Sequence, residues 1–365
     1  MSVGLLVCFS VLRLSFMIEE AFTDGRINAN RYPPTLLSKL KFFPYPTYEE
    51  KAVHLLGYIV RRLLQMIPVL IGITLLAFLF VKLLPGDPIM ILTGGKASPE
   101  TVAALHAKFG LDKPLHVQYL LFLSNAVRGD LGTSILQRDP VTDIVVERIG
   151  PSAFLLAYGT LIAIVLTLPL AIISTMRADQ PVDHAIRTGG MVTFAMPSFW
   201  LGLLLMLLFG LKLKWFPISG WGEGFFGHLK YLFMPALVIG VYLAPMLIQS
   251  LRASLLEIMQ AEYIEVARAK GLSPLRVMLK HVLRNALIPT VTILAVNIGW
   301  LIGGSVIIEA VFSIPGLGLL LVRSVNYRDY PTIQGLTLVF GVLVMMVNLL
   351  ADLSYAVIDP RVVYE

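Results

Sequence analysis

The residues that could do chemistry in this sequence are charged side chains gathered in one segment, from Glu257 to Pro289. Within it, acids and bases lie a short distance apart, in the order Glu262, Glu265 and Arg268. Most of the remaining chain is apolar enough to lie in lipid, so this segment must face water. Mixed charges of this kind favour docking in the groove of a soluble partner. The alternative is a segment that rests on anionic lipid headgroups, which suits the bases but not the acids.

We expect this segment, called the charged hairpin below, to fold as two helices joined at Gly271. Leu255 to Lys270 contains strong helix formers and no internal Gly or Pro. Gly271 suits the left-handed position after a helix, and Ser273 with Pro274 is typical of the start of the next one. The second helix is expected to have an apolar face and a basic face. The apolar face comprises Leu275, Met278, Leu279, Val282 and Ala286, and the basic face comprises Arg276, Lys280 and Arg284.

The sequence carries no arrangement typical of catalysis, of a metal site or of nucleotide binding. Gly95-Lys96 is followed by Ala97, so the phosphate-binding glycine loop is absent and any ATP must bind another chain. Ser305 follows two glycines, as in some intramembrane proteases, but no histidine lies within a span to activate it. The single Cys8 excludes an intramolecular disulfide, and the histidines lack metal-binding spacing. We therefore expect no catalytic residue, and no metal or cofactor bound by this chain.

Composition places the chain in a membrane. Hydrophobic residues make up 57%, charged residues 14%, and the mean hydropathy is +0.79. Several stretches reach the roughly 20 apolar residues that a helix needs to cross a bilayer. The fold class is therefore all-α and polytopic, with six transmembrane helices. The predicted spans are Leu63–Leu84, Pro151–Met176, Gly189–Leu211, Tyr231–Leu251, Ala286–Ile308 and Thr332–Ala351.

Flanking charge predicts an orientation with both termini in the cytoplasm. Arg61-Arg62 precedes the first span, and bases favour the cytoplasmic side of membrane helices. Six crossings return Arg361 to that side and place the charged hairpin there as well. One local detail disagrees, since the predicted outer loop after the third span carries Lys212, Lys214 and Lys230. We give the first span and the long basic loop more weight, because the rule is statistical.

The net charge of +6 is explained by basic residues that flank membrane helices on the cytoplasmic side, and it does not indicate nucleic-acid binding. No basic cluster is interleaved with exposed aromatic residues, as a nucleic-acid surface would require. Apart from Lys82, the predicted spans contain no Asp, Glu, Lys or Arg. The absence of an ionisable residue in mid-membrane argues against a carrier driven by protons or sodium. Membrane lipid is the expected surrounding, and nucleic acid is not an expected partner.

The polar segments between the spans predict a domain organisation. Residues 85–150 are too long for a simple loop and are expected to form a small helical subdomain outside the cell membrane. Ser98 and Pro99 indicate the start of a helix there, Gly110 its end, and a second helix is expected after Pro114. The chain thus begins with an N-terminal extension at 1–54, which is untranslated or disordered, and a first transmembrane helix at 55–84. The subdomain at 85–150 follows. A five-helix transmembrane core occupies 151–358 and includes the cytoplasmic loop 252–285, and a cytoplasmic tail ends the chain at 359–365.

The charged hairpin resembles the coupling loop of ABC-transporter permease subunits. Glu265-Val266-Ala267 followed by Gly271 matches the EAA motif of that family. The resemblance to the dipeptide/oligopeptide branch is closer and covers about Leu55 to Val363. General EAA loops often continue with Ile-x-Leu-Pro where this chain has residues 281–284, a departure that the peptide branch shares. The branch motifs include Leu84-Pro85-Gly86-Asp87-Pro88, Pro197-Ser198-Phe199-Trp200-Leu201-Gly202, Arg284-Asn285-Ala286-Leu287-Ile288-Pro289, Glu309-Ala310-Val311-Phe312-Ser313 and Asp329-Tyr330-Pro331.

This resemblance implies a permease subunit in the inner membrane of a prokaryote. Together with a homologous second permease it would form a pathway for peptide uptake. Two partner subunits would bind ATP and Mg, and an extracytoplasmic binding protein would deliver the substrate. Nickel complexes, glutathione or sugars are alternative substrates, and a self-contained secondary transporter is a more distant alternative. The residues implied in coupling to the ATPase are Glu262, Glu265, Ala267, Arg268, Gly271 and Ser273.

Small and polar residues within the last two spans have two interpretations each. Ala295, Gly299 and Gly303 recur every four positions, which is typical of tight helix packing within the chain. Contact with a second permease is the alternative. Asn297 either lines the pathway or is merely hydrogen-bonded within the protein. The polar stripe of the last span either lines an inner vestibule or anchors the helix at the interface, and it comprises Asn348, Asp352, Tyr355 and Asp359.

The end of the fifth predicted span is a candidate for the pathway or its outer gate. Glu309 could bind a peptide amine or the delivering protein, and Pro315-Gly316 makes a re-entrant turn plausible. The alternative role of Glu309 is to cap a helix with its carboxylate.

Overall fold

The computed structural model describes residues 48–83, 86–93 and 96–358. The regular secondary structure of that part of the chain is helical, apart from one isolated bridge between Thr133 and Pro140. The helices are α1 (Tyr48–Leu83), α2 (Pro88–Leu92), α3 (Pro99–Lys108), α4 (Leu115–Val127), α5 (Val141–Met176), α6 (Pro181–Ala195), α7 (Ser198–Leu205), α8 (Gly224–Met259), α9 (Glu262–Ala269), α10 (Pro274–Arg276), α11 (Leu283–Val311), α12 (Leu317–Tyr327) and α13 (Tyr330–Ile358). Two π-helical segments, Met206–Lys212 and Val277–Val282, follow α7 and α10.

The chain divides into two compact units, Met1–Val60 with Tyr364 and Arg61–Val363 with Glu365. Only residues 48–60 of the first unit are described, and they are helical. Most of the predicted extension 1–54 and the whole tail 359–365 therefore lie outside the described residues. All packing reported below is within the second unit.

Within the described residues, five helices are long and apolar enough to cross a membrane, or six spans if one bent pair counts as a span. This agrees with the predicted all-helical, polytopic class. The predicted third span, Gly189–Leu211, is wrong as a single helix, because α6 and α7 meet there at 102°. The cause is Pro197, which lacks a backbone N–H and drives Met196 into the extended conformation, with φ −77° and ψ 136°.

The core of the bundle is the packing of α5 against α8. Two glycines allow the close approach: a methyl group on Gly159 would overlap the Ile239 side chain, and one on Gly240 would overlap Ile162. Leu155 of α5 and Leu243 of α8 lie in the same buried cluster. This central pair is the frame on which both ends of the bundle are built.

The described residues between α1 and α5 include three short helices, α2, α3 and α4. The predicted separate subdomain at 85–150 stays a prediction. The Ser98 side chain accepts a hydrogen bond of 3.2 Å from the Thr101 N–H, as predicted for the start of α3. Gly110, with φ +66°, follows that helix, and α4 begins directly after Pro114. These local predictions are confirmed, because capping depends on residues close in sequence.

The charged hairpin is also helical, but the predicted continuous helix over Leu255–Lys270 is wrong. The chain leaves helical geometry at Ala261, so α8 ends at Met259 and α9 begins at Glu262. This break turns α9 back against the bundle and buries Ile264 completely. Tertiary burial thus overrides the helix-forming tendency of the intervening residues.

The predicted apolar face of the second hairpin helix is also wrong in part. Val282 and Ala286 are buried as expected, but Leu275 is 69% exposed and Leu279 is 50% exposed. Val277 is buried instead. The π-helical turn over Val277–Val282 is wider than an α-turn, so it shifts which residues face the core.

Candidate functional site

The outer surface of α9 is an accessible, charged element of the hairpin. Glu262, Glu265 and Arg268 are exposed, and so are Gly271 and Ser273 beyond the end of the helix. Tyr263 and Val266 are also exposed, at 47% and 54%, so the surface combines charge with apolar contact area. Such a composition suits a protein partner with a matching groove.

Ala267 is the one buried residue among the six that the resemblance implies in coupling. It is 7% exposed and lies on the inner side of α9 with Ile264. Its role is therefore to let α9 approach the bundle. The cluster that receives it contains Ala171 of α5, Leu251 and Leu255 of α8, and Val282 and Ala286 of the α11 arm.

This cluster seats α9 on three spanning helices at once. Burying a large aliphatic side chain such as Ile264, instead of leaving it exposed to water, contributes about 1.5–3 kcal/mol to the free energy of folding. A force on α9 therefore acts on α5, α8 and α11 together rather than on a free loop. That mechanical connection comes mainly from packing, since the backbone hydrogen bonds of the hairpin join residues close in sequence.

Gly271 joins the two arms in the predicted left-handed conformation, with φ +78°. A methyl group at this position would contact nothing within 4 Å. The requirement for glycine is thus conformational rather than steric. The Gly271 N–H donates to the Arg268 carbonyl at 2.9 Å, which closes the end of α9.

A hydrogen bond across the hairpin escaped the sequence prediction. The Asn285 side-chain amide donates to the Tyr263 hydroxyl at 3.1 Å and to the His281 carbonyl at 3.2 Å. The contact with Tyr263 ties the start of α11 to α9. Nothing in the local sequence pattern signals a pair so far apart in sequence.

A buried ion pair beside the hairpin was also missed. Asp183, in the first turn of α6, is fully buried and accepts two hydrogen bonds from the Arg252 guanidinium of α8. The Ser174 hydroxyl of α5 donates to the same carboxylate, and the Asp179 N–H donates to it at 3.0 Å. The site joins three helices near the base of α9.

The opposite end of the bundle holds Glu309, a predicted pathway or gate residue. Its carboxylate is fully buried and accepts hydrogen bonds from the Ser152 hydroxyl at 2.7 Å and from the Gly318 and Leu319 N–H groups at 2.7 and 3.2 Å. Ser152 also accepts from the Leu317 N–H at 2.8 Å. Glu309 therefore caps the first turn of α12, which is the alternative left open by the sequence. Its assignment to the outer gate stays a prediction.

The turn between α11 and α12 contains the other two predicted gate residues. Pro315 is half-buried and Gly316 is buried. A methyl group on Gly316 would overlap the Glu309 carboxylate and the Ser152 hydroxyl, so glycine is required here for space. The turn is compact and closed around Glu309.

Asp329, just before α13, binds the segment that precedes α5. Its carboxylate accepts from the Ser134 hydroxyl at 2.5 Å, from the Ile135 N–H at 2.9 Å and from the Thr332 hydroxyl at 2.8 Å. Asp329 is 1% exposed. The Asp-Tyr-Pro motif of the sequence thus contains a structural clamp, which the motif alone did not reveal.

The predicted packing stripe on α11 divides into inward and outward positions. Gly299 is buried against Asn348 of α13, whose Oδ1 atom would lie 2.8 Å from an added methyl group. Ala295 is half-buried, whereas Gly303 is exposed and a methyl group there would contact nothing within 4 Å. Packing within the chain is therefore observed at Gly299 and not at Gly303.

Gly303 belongs to an exposed apolar face of α11. Val296, Trp300 and Ile307 lie on it, and Trp300 is 78% exposed. Asn297, on the same helix, is half-buried and donates to the Ile293 carbonyl at 2.8 Å. Its amide is satisfied within its own helix, and its role in the pathway stays a prediction.

The polar stripe on α13 is described only in part. Asp352 forms an ion pair with Arg62 of α1, with 2.6 Å between Nη2 and Oδ2. The side chain of Tyr355, and Asp359 as a whole, lie outside the described part of the chain. The described portion of the stripe thus joins the first and last spanning helices.

Comparisons with known proteins agree with this architecture. Residues 167–364 match the family described as "Binding-protein-dependent transport system inner membrane component". Residues 55–157 match "Binding-prot-dependent transport system membrane comp, N-term".

Several curated relatives align over nearly their whole length. The "Oligopeptide transport system permease protein AppB" of Bacillus subtilis is 38% identical over 84% of this chain and 99% of its own. The "Putative peptide permease protein BRA0408/BS1330_II0405" of Brucella suis is 41% identical over 84% and 99%. The "Glutathione transport system permease protein GsiC" of Escherichia coli O6:H1 is 38% identical over 85% of this chain and 100% of its own.

Proposed function

We propose that this chain, which belongs to the family of binding-protein-dependent inner membrane transport components, forms with a homologous second permease the pathway for ATP-driven peptide uptake. As a member of that family it is a permease subunit of a bacterial ABC importer, a multi-pass inner-membrane protein and not itself an enzyme. The family expected from the sequence is thereby confirmed. The observation that carries the proposal is α9, a charged surface helix seated on three spanning helices.

The proposed orientation places the charged hairpin in the cytoplasm, with both termini, and the subdomain formed by residues 85–150 outside. Ser152 and Ser174 lie on the same helix, α5, about 33 Å apart at 1.5 Å per residue. That distance is close to the thickness of a bilayer core. The Asp183 site and the Glu309 site would therefore lie near opposite membrane surfaces.

The partners follow from the family and from the surfaces. A component of such a system works with ATPase and binding-protein partners. We propose that two ATP-binding subunits hold ATP and Mg and receive α9 in a groove. The second permease is proposed to contact the exposed face of α11 around Trp300 and Gly303, where a small residue permits close approach.

The proposed mechanism is alternating access driven from the hairpin. Closure of the ATP-binding subunits moves α9, and the packed cluster beneath it transmits that movement to α5, α8 and α11. Loaded binding protein, at the other side, favours the state that accepts substrate. ATP and substrate thus bias the same equilibrium from two sites, and their effects are reciprocal by thermodynamic linkage.

Peptides are the proposed substrate because two of the named relatives are permeases of peptide systems. The glutathione permease at similar identity keeps glutathione, itself a short peptide, as the chief alternative. Nickel complexes and sugars are further alternatives. Assigning the substrate requires the binding protein that delivers it.

The test is reconstitution of the complex with a Glu265→Lys variant. We expect the variant to insert normally but to lose ATP-dependent peptide uptake and co-purification of the ATPase subunits, because the charge at the docking surface is reversed. The matched control is Glu223→Lys, an exposed glutamate just before α8 and far from the hairpin. Normal uptake and co-purification with Glu265→Lys would remove the docking role of α9. Peptide uptake by the purified chain alone would favour a secondary transporter instead.

A further inference from the structure

The buried ion pair between Asp183 and Arg252 has a geometry that fixes two helices relative to each other. Arg252 Nε lies 2.9 Å from Oδ1 of Asp183, and Nη2 lies 2.5 Å from Oδ2. This paired contact is directional, because both the guanidinium and the carboxylate are planar. The Ser174 hydroxyl and the Asp179 N–H donate to the same carboxylate from other directions. The carboxylate is thus held from three sides.

Separation of the two charges would be strongly unfavourable. Asp183 is fully buried, and a buried carboxylate that loses its cation keeps the cost of desolvation without the compensating attraction. Among the described residues, no other Lys, Arg or His nitrogen lies within 4.0 Å of it. The start of α6 must therefore follow any movement of α8 at Arg252.

Arg252 stands at the part of α8 that supports α9. Its chain neighbour Leu251, and Leu255 one turn later, lie in the cluster that buries Ile264. Ile186, one turn beyond Asp183 on α6, packs against the same cluster. Displacement of α9 thus reaches α6 by two routes, through apolar packing and through the ion pair.

The rest of α6 lies along α8 up to the bend. A methyl group on Gly190 would lie 3.2 Å from the Pro245 side chain, and the rings of Phe194 and Tyr242 stack with centroids 5.0 Å apart. The bend of 102° then leads into α7.

Helix α7 reaches the end of the bundle that contains Glu309. A methyl group on Gly202 would lie 3.0 Å from the Phe312 ring, just beyond the end of α11. Phe312 is 1% exposed and adjoins the turn closed by Glu309. A continuous series of contacts therefore connects the hairpin with the opposite end of the molecule by way of the bent pair.

We propose that Asp183 and Arg252 are positioning residues that pass movement of α9 to the bent helix pair α6–α7 during transport. This inference rests on the proposed function, since it assumes that α9 is moved by an ATPase partner. The ion pair does not touch substrate. Its contribution is to make α6 move with α8 rather than slide along it.

A double apolar variant separates this role from a merely structural one. Buried ion pairs can often be replaced by apolar residues of similar size without loss of stability. We therefore expect the complex with Asp183→Leu and Arg252→Met to assemble, to melt near the wild-type temperature and to keep basal ATP hydrolysis. Peptide uptake per ATP hydrolysed should fall at least about fivefold, the lower range of allosteric coupling. A structural role alone predicts normal uptake per ATP in this variant, and that result would overturn the proposal.

A milder variant keeps the test decisive if the double variant fails to assemble. Arg252→Lys retains the charge but cannot make the paired contact. We expect it to assemble and to lower uptake per ATP, although by less than the double variant should. Unchanged uptake per ATP in Arg252→Lys would then contradict the proposal.

A conformational measurement gives a readout that does not depend on substrate. Spin labels at Leu203 on α7 and Phe226 on α8, both exposed, are placed in a Cys8→Ser background of the full complex. The distance between the labels should change on ATP binding in the wild type and much less in Arg252→Lys. An equal change in both would overturn the proposal. Failure of the wild-type complex to bind ATPase subunits would instead contradict the proposed function.

Discussion

The two ends of this bundle both bury carboxylates, but they compensate the charge differently. At the end near the hairpin, Asp183 is paired with a full positive charge from Arg252. At the other end, Glu309 and Asp329 accept hydrogen bonds from hydroxyl and backbone N–H groups. No Lys, Arg or His nitrogen of the described chain lies within 4.0 Å of either carboxylate.

This difference has mechanical consequences. Backbone N–H donors in the first turn of a helix are fixed in position, so the Glu309 turn is held as one rigid piece. Arg252 instead joins two separate helices through a two-point contact with Asp183, so α6 and α8 stay together when either one moves. The first arrangement is suited to a fixed clamp, and the second to a tether between moving parts.

Two glycines, Gly271 and Gly316, show a similar difference between the two ends of the bundle. Gly271 of the hairpin needs its left-handed conformation and has open space around it, with φ +78°. Gly316, at the other end, has φ −104° and is crowded by Glu309 and Ser152. One glycine provides a turn on the surface, and the other provides room inside a packed site.

The largest expected effect on stability is at Glu309, in the fixed clamp at the turn between α11 and α12. Glu309→Leu would leave the N–H groups of Gly318 and Leu319 and the Ser152 hydroxyl without their acceptor, and we expect a loss of about 4 kcal/mol in the free energy of unfolding. Titration of the purified chain with a denaturing detergent measures it. The control, Glu223→Leu at an exposed site, should change stability by less than about 0.5 kcal/mol. A loss below about 1 kcal/mol for Glu309→Leu would show that the turn is not a rigid clamp.

The next effect is at the hairpin turn. Proline cannot adopt φ +78° and has no N–H to donate to Arg268, so Gly271→Pro should cost about 3 kcal/mol locally and abolish ATP-driven uptake. Gly271→Asn is the matched control, because asparagine tolerates the left-handed region. It should retain most uptake in the reconstituted complex. Equal loss in both variants would mean that the position needs space rather than conformation.

The smallest effect compares two hydroxyl groups that serve equivalent roles. Ser152→Ala removes a donor to Glu309 and also the acceptor of the Leu317 N–H, so we expect a loss of about 2 kcal/mol in stability. Ser174→Ala removes only one donor to Asp183, which keeps Arg252 and the Asp179 N–H, and should cost about 1 kcal/mol. The same detergent titration ranks the two variants. The reverse order would contradict the distinction between clamp and tether.

Some of the fold was accessible from sequence because its causes are local. The cap at Ser98, the end of α3 at Gly110 and the turn at Gly271 depend on side chains and backbone angles within a few residues. The apolar stretches predicted a helical membrane protein for the same kind of reason, since length and hydropathy suffice. The EAA-like motif then indicated the family.

The incorrect predictions concern features that depend on contacts between distant parts of the chain. Helix α9 separates from α8 because Ile264 gains a buried position against other helices, which no local propensity encodes. The π-helical turn over Val277–Val282 rotated the buried face of the hairpin. Pro197 was a visible signal for the bend between α6 and α7, but the apolar pattern continued through it and concealed the break.

The sequence by itself thus determined that this chain is a polytopic helical permease with a charged, turned surface element. Composition, capping and motif spacing are properties of neighbouring residues, so they can be read along the chain. Only the tertiary structure decided that Glu309 is a buried cap, that Gly303 faces outward, and that Asp183 meets Arg252. Those outcomes depend on which helices become neighbours, and that is settled by packing across the whole bundle.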